Sequence, residues 1–175
     1  MSKRGLYTVR ISGLADGDHD FSFELDHKFF ASLEQSEIEN GIVRALVILE
    51  KKPGILALHF HLEGEVEVVC DRCLEPFMTE IKSEQKIFVK LGETPGEIED
   101  DVIMIHKDDH EIEVGQYLYE FIILALPFQR IHSVDEYGVS KCDPEMIRRL
   151  EEHQGWEEKK EQTDPRWDTL KGIIE

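Results

Sequence analysis

Cations are scarce in this sequence: its 175 residues hold 20 lysines and arginines against 38 aspartates and glutamates, a formal net charge of −18. A phosphate backbone repels such a chain unless its few cations gather on one face, which excludes indiscriminate nucleic-acid binding and makes a basic protein the easier partner. Long apolar runs are missing too. The apolar runs, such as Leu46 to Leu49 and Ile122 to Leu126, fall far short of the roughly 20 residues that cross a bilayer. Residues 1–10 carry Lys3 and Arg4 but no apolar stretch of a secretion signal, and they lead straight into an alternating pattern. A soluble cytoplasmic protein is expected. Only three cysteines occur, and in that compartment they are expected to stay reduced. No serine sits in a nucleophile elbow and no glycine-rich loop follows a strand. The carboxylates are too numerous to single out an acid–base pair, so no enzyme is expected.

What is present is ample apolar material under an ionised surface: 41% of residues are hydrophobic and 33% charged, enough for one compact domain of ordinary size. Period-two alternation dominates the first half. Tyr7, Val9 and Ile11 share one phase, as do Phe21, Phe23 and Leu25, and then Leu56, Leu58, Phe60 and Leu62. Lys52-Pro53-Gly54 reads as a turn between a strand over 42–49 and one from Ile55. Glu63-Gly64-Glu65 reads as a second turn, leading to a strand that ends at Cys70. A further strand is expected over 77–91, and a short helix over 26–34 capped by Asp26. Residues 92–113 hold nine carboxylates against Lys107 alone and read as a solvated loop with one strand at 102–105. Val114, Tyr117, Leu118, Phe121, Ile122, Leu124 and Ala125 then recur at helical spacing until Pro127. Asp143-Pro144 and Asp164-Pro165 each read as the start of a short helix. The fold class expected is α+β: an antiparallel β-meander or partly open barrel with one long helix and short C-terminal helices. Residues 1–130 form the domain, mainly β in its first half, and 131–175 a polar, partly helical tail.

The cysteines are paired in one place, Cys70-Asp71-Arg72-Cys73-Leu74-Glu75-Pro76. Sulfurs three residues apart chelate a metal, form a disulfide or simply pack. Cys70 and Cys73 have the spacing of half a zinc shell, but a structural site needs four ligands. Cys142 stands alone, and His132 or His61 would have to complete the set. A thioredoxin-like redox pair would sit at a helix N-terminus, whereas Pro76 and the flanking strands place this one at a hairpin turn. The expectation is a reduced structural knuckle without a cofactor, with zinc as the alternative and Arg72 projecting outward. His59 and His61 lie on one strand face and are surface residues if that face is solvated.

This motif precedes two others: Glu113-Val114-Gly115-Gln116-Tyr117 through Leu124-Ala125-Leu126-Pro127 with His132, and Asp164-Pro165-Arg166-Trp167-Asp168-Thr169-Leu170. Their order and spacing resemble the YceD family of large ribosomal RNA subunit accumulation proteins, from the strand before Cys70 onward. The resemblance implies a non-enzymatic role in synthesis, processing or stability of the large-subunit (23S) rRNA, and so in ribosome assembly. It directs attention to Cys70, Arg72, Cys73, Pro76 and His132 as binding residues. Many relatives carry further cysteines after the helix, suggestive of a second metal-binding pair; here only Cys142 remains. A mechanism in keeping with the charge is an acidic face that holds a basic ribosomal protein during delivery to large-subunit precursors. A local patch drawn from Lys3, Arg4, Arg10, Arg44, Lys51, Lys52 and Arg72 would touch rRNA. The competing reading is a zinc- or thiol-dependent regulatory or adaptor module unrelated to ribosomes.

Overall fold

The computed structural model describes residues 6–99 and 101–153. Its chain order is β1 (Thr8–Arg10), β2 (Gly17–Leu25), α1 (His27–Ala31), β3 (Gly41–Lys52), β4 (Ile55–Val69), β5 (Pro76–Gly92), β6 (Gly96–Glu99), β7 (Val102–His106), β8 (Glu111–Glu113), α2 (Gly115–Ala125) and α3 (Pro144–His153). Six strands make one sheet in the order β2-β3-β4-β5-β7-β6, and β1 pairs with β8 in a separate two-stranded ribbon. The sheet is antiparallel except where β7 runs parallel to β5.

Alternation sorts the sheet into two faces. Val43, Ala45, Val47 and Leu49 of β3 stand opposite Gly64, Leu62, Phe60 and Leu58 of β4, and these are continued by Ile81, Ile87 and Val89 of β5 in the buried core. The opposite face carries Asp20, Glu24, Arg44, Glu63, Lys82 and Glu84 at exposed positions. His59 and His61 lie there as well, beside Glu50 at 3.3 Å and Glu84 at 3.9 Å.

The inner face is covered by helices rather than by closure of the sheet. Phe29 and Phe30 of α1, and Leu118 and Ile122 of α2, are buried against it, and Phe121 meets Phe60 edge-to-face with ring centroids 5.0 Å apart. The expected short helix is present, with the Asp26 carboxylate accepting the N–H groups of Lys28 and Phe29 at 2.9 and 3.3 Å. The partly open barrel is not: β2 and β6 stand at opposite ends of an open sheet. Their exposed acids, Asp18, Asp20 and Glu24 on one and Glu97 and Glu99 on the other, would repel each other across any closing seam.

Three other expectations need correction. The helix is not long: α2 has eleven residues, because Leu126 is already extended (φ −65°, ψ 141°) ahead of Pro127. Gly64 makes no turn. It lies inside the fifteen-residue strand β4, and a Cβ there would stand 2.2 Å from the Ile42 carbonyl oxygen and 2.7 Å from Val43 Cα, so the glycine lets two backbones approach. The acidic stretch 92–113 is not mainly loop but contributes β6, β7 and β8; charged residues are tolerated where a strand face is wet. The helix expected after Asp143 is α3, whereas the one expected after Asp164 lies outside the described residues.

Candidate functional site

The site grows from the end of β4. Cys70 follows its last residue, and the chain turns so that the Leu74 N–H donates to the Cys70 carbonyl and the Cys70 N–H to the Glu75 carbonyl, both at 3.0 Å. Leu74 takes a left-handed conformation, φ 62°, a region that favours glycine. The turn points both sulfurs inward and leaves Arg72 and Pro76 exposed.

Asp71 fastens a distant segment to this knuckle. Its N–H donates to the Arg130 carbonyl at 2.7 Å, and its carboxylate accepts the Arg130 N–H at 2.8 Å. Two residues on, His132 lies against the Phe77 ring with centroids 4.6 Å apart. Residues 133–142 then double back. The Asp135 carboxylate accepts the N–H groups of Tyr137 and Val139, Gly138 takes φ 80°, and Val134 bridges Ser140. This small hairpin returns Cys142 to His132. Asp143 then opens α3 by accepting the Glu145 N–H at 3.0 Å, and Met146 and Ile147 pack over the sulfurs.

Cys70, Cys73, His132 and Cys142 thereby meet, with one ligand atom from each lying within 4.8 Å of all the others. Cys70 Sγ is 3.8 Å from Cys142 Sγ, and His132 Nδ1 is 3.4 Å from Cys73 Sγ and 3.7 Å from Cys142 Sγ. All three cysteines are buried and free. The Arg72 N–H points at Cys70 Sγ, 3.5 Å away. Burial opposes ionisation of Cys70, but the backbone N–H groups of Cys73 and Arg72, together with His132, outweigh it and bring this thiol down to about 6. At Cys73 burial prevails, and with the neighbouring sulfurs of Cys70 and Cys142 it holds that thiol above its ordinary value. Such a group can chelate a soft divalent metal, or it can sit as packed thiols around an imidazole.

Of the residues the sequence singled out, Cys70, Cys73 and His132 converge, while Arg72 and Pro76 rim the knuckle. His61 lies on the outer face of the sheet, away from them. Cys142, isolated in sequence, joins the cluster. The candidate RNA contacts are dispersed or engaged: Arg10 is exposed on β1, Lys51 donates to the Leu14 carbonyl at 2.8 Å, and Lys52 pairs with Glu50. Lys3 and Arg4 lie outside the described residues. A concavity of about 730 Å³ lies elsewhere, on the outer sheet face, where Arg44 and Lys82 stand among Glu24, Glu63 and Glu84 beside His61, so it forms no cationic patch.

An open, mostly antiparallel sheet covered by short helices, with three buried thiols gathered around a half-buried imidazole, defines an α+β protein whose distinctive chemistry lies at the knuckle. Over residues 58–173 the chain matches the family model for the large ribosomal RNA subunit accumulation protein YceD. It belongs to that family. The match takes in the knuckle, the hairpin and α3 together. No curated protein and no solved structure matches the chain. Among the described residues no helix is long and apolar enough to cross a membrane.

Proposed function

We infer that the chain is a non-enzymatic, cytoplasmic factor that supports accumulation of large-subunit ribosomal RNA by holding a basic ribosomal protein. Family membership over 58–173 carries the ribosomal half of this reading. The formal charge of −18 supports the other half, since a basic extension is attracted where bare RNA is repelled. Exposed apolar side chains supply anchors beside that charge: Val69 and Leu74 on the knuckle, and Phe128, Val134, Tyr137 and Val139 on the segment fastened to it. Aromatic anchors among charged neighbours are the usual composition of a protein-binding patch.

Sedimentation of the tagged native protein through a sucrose gradient tests the reading, at low and moderate salt and with the RNA and protein in each fraction identified. Co-migration with large-subunit precursors that weakens as salt rises is the expected result. Confinement to the top of the gradient at both salts, with no ribosomal protein attached, would refute it.

A further inference from the structure

We propose that Cys70, Cys73, Cys142 and His132, the last through Nδ1, hold one zinc ion in a closed structural site that clamps the 133–142 hairpin and α3 to the knuckle. The proposal stands on geometry and does not depend on the ribosomal reading. A tetrahedral zinc with Zn–S of about 2.3 Å and Zn–N of about 2.0 Å requires ligand-to-ligand edges of about 3.8 Å between sulfurs and about 3.5 Å between sulfur and nitrogen. The observed edges are 3.8 Å for Cys70–Cys142, and 3.4 and 3.7 Å for the two sulfur–nitrogen pairs. Three of the six edges, one between sulfurs and two between sulfur and nitrogen, therefore have the lengths one central ion would set.

The surroundings agree. Three thiolates and one imidazole form a donor set suited to zinc and poorly suited to calcium or magnesium, which take oxygen ligands. The complex would carry one net negative charge, and the Arg72 N–H directed at Cys70 Sγ is the kind of donor that steadies a bound thiolate. The relative exposures of Cys70, Cys73 and Cys142 are 0%, 3% and 5%, and Phe77, Met146 and Ile147 close over them. That leaves no open coordination position for a substrate, which makes the site structural rather than catalytic. Packing alone would account for buried thiols. A thiol–imidazole hydrogen bond would account for either sulfur–nitrogen distance taken alone; one central ion accounts for all three edges together.

The topology gives the ion a task. No residue of α3 is buried, and its Met146 and Ile147 make their apolar contacts with the cysteine cluster. The core of the six-stranded sheet lies in a separate apolar cluster. Loss of the ion should therefore release 132–153 and leave the sheet folded.

The experiment is elemental analysis of the full chain, purified without a histidine tag, combined with thiol titration and cobalt(II) substitution. One zinc per chain is expected, with the three thiols unreactive until a chelator is added, and with the intense visible absorption of a tetrahedral cobalt–thiolate centre. His132→Cys should keep the stoichiometry and alter the cobalt spectrum, whereas His132→Ala should weaken metal binding at least about ten-fold. Hydrogen exchange after chelation should lose protection in α3 and keep it in β3–β5. Metal-free native protein with three freely titrating thiols, and no charge-transfer absorption from the wild-type chain on adding cobalt, would overturn the proposal. The wild-type titration keeps the test decisive even if a variant fails to fold.

Discussion

The left-handed Leu74 shows how much the knuckle constrains a single residue. A leucine at φ 62° is opposed by its Cβ, at a cost of about 1–2 kcal/mol, and its side chain, 66% exposed, recovers little by burial. It is held there because the Leu74 and Cys70 N–H groups must close the turn that aims both sulfurs inward. Leu74→Gly relieves the strain but loses more chain entropy on folding, so it should range from neutral to stabilising by about 1 kcal/mol. Leu74→Val, branched at Cβ, should destabilise by more than about 1 kcal/mol. Urea denaturation of the three proteins checks the order Gly at or above Leu, and Leu above Val. A valine variant as stable as wild type would mean that the turn is not left-handed at this position.

At the scale of elements, the pairing of β3 with β4 depends on a close approach that no other residue type permits. Gly64 faces Val43 in the register, and the atoms an added Cβ would meet belong to the β3 backbone, which cannot swing aside as a side chain can. Gly64→Ala should therefore cost about 2 kcal/mol or more and lower the denaturation midpoint without changing its slope. A loss under about 0.5 kcal/mol would mean that the strands separate readily there. The same position shows where sequence reading reaches its limit. The inner faces were legible from period two, because a half-buried strand must alternate, and the caps at Asp26 and Asp143 and the stop at Pro127 were legible from local chemistry. Gly64 between two glutamates has the signature of a turn, and only the neighbouring strand reveals its different role. Acid-rich 92–113 looks solvated because the carboxylates of its described residues do face water, yet its backbone still pairs. Cys70 and Cys73 were readable as half of a metal shell. Cys142 and His132 could be named as candidates to complete it, but not chosen over His61, since the hairpin that unites them is built by Asp135 and Gly138 and leaves no standard ligand spacing.

For the molecule as a whole, the decisive question is how a strongly acidic surface acquires specificity. Charge alone would speed encounter with a basic partner and repel free RNA, but it is screened beyond about 8–10 Å at physiological salt and would not choose among basic partners. Choice has to come from groups that exclude water. The fully exposed Phe128 and the nearly fully exposed Tyr137 flank the segment that Asp71 fastens to the knuckle. If they are anchors for a ribosomal partner, Phe128→Ala with Tyr137→Ala should weaken co-sedimentation at least ten-fold, about 1.4 kcal/mol, and leave the melting temperature within about 1 °C because neither ring is packed in the core. Reversing Glu97, Glu99, Asp108 and Asp109 to lysine should act differently, reducing the salt dependence and the association rate more than the lifetime of the complex. The two sets of substitutions thus separate recognition from steering. If the aromatic pair had no effect while charge reversal abolished association, the surface would be a general sink for basic chains and its selectivity would have to lie elsewhere. If the aromatic pair abolished association at every salt concentration, the knuckle and its fastened segment would be the docking face, and a metal that holds them together would govern whether the partner binds at all.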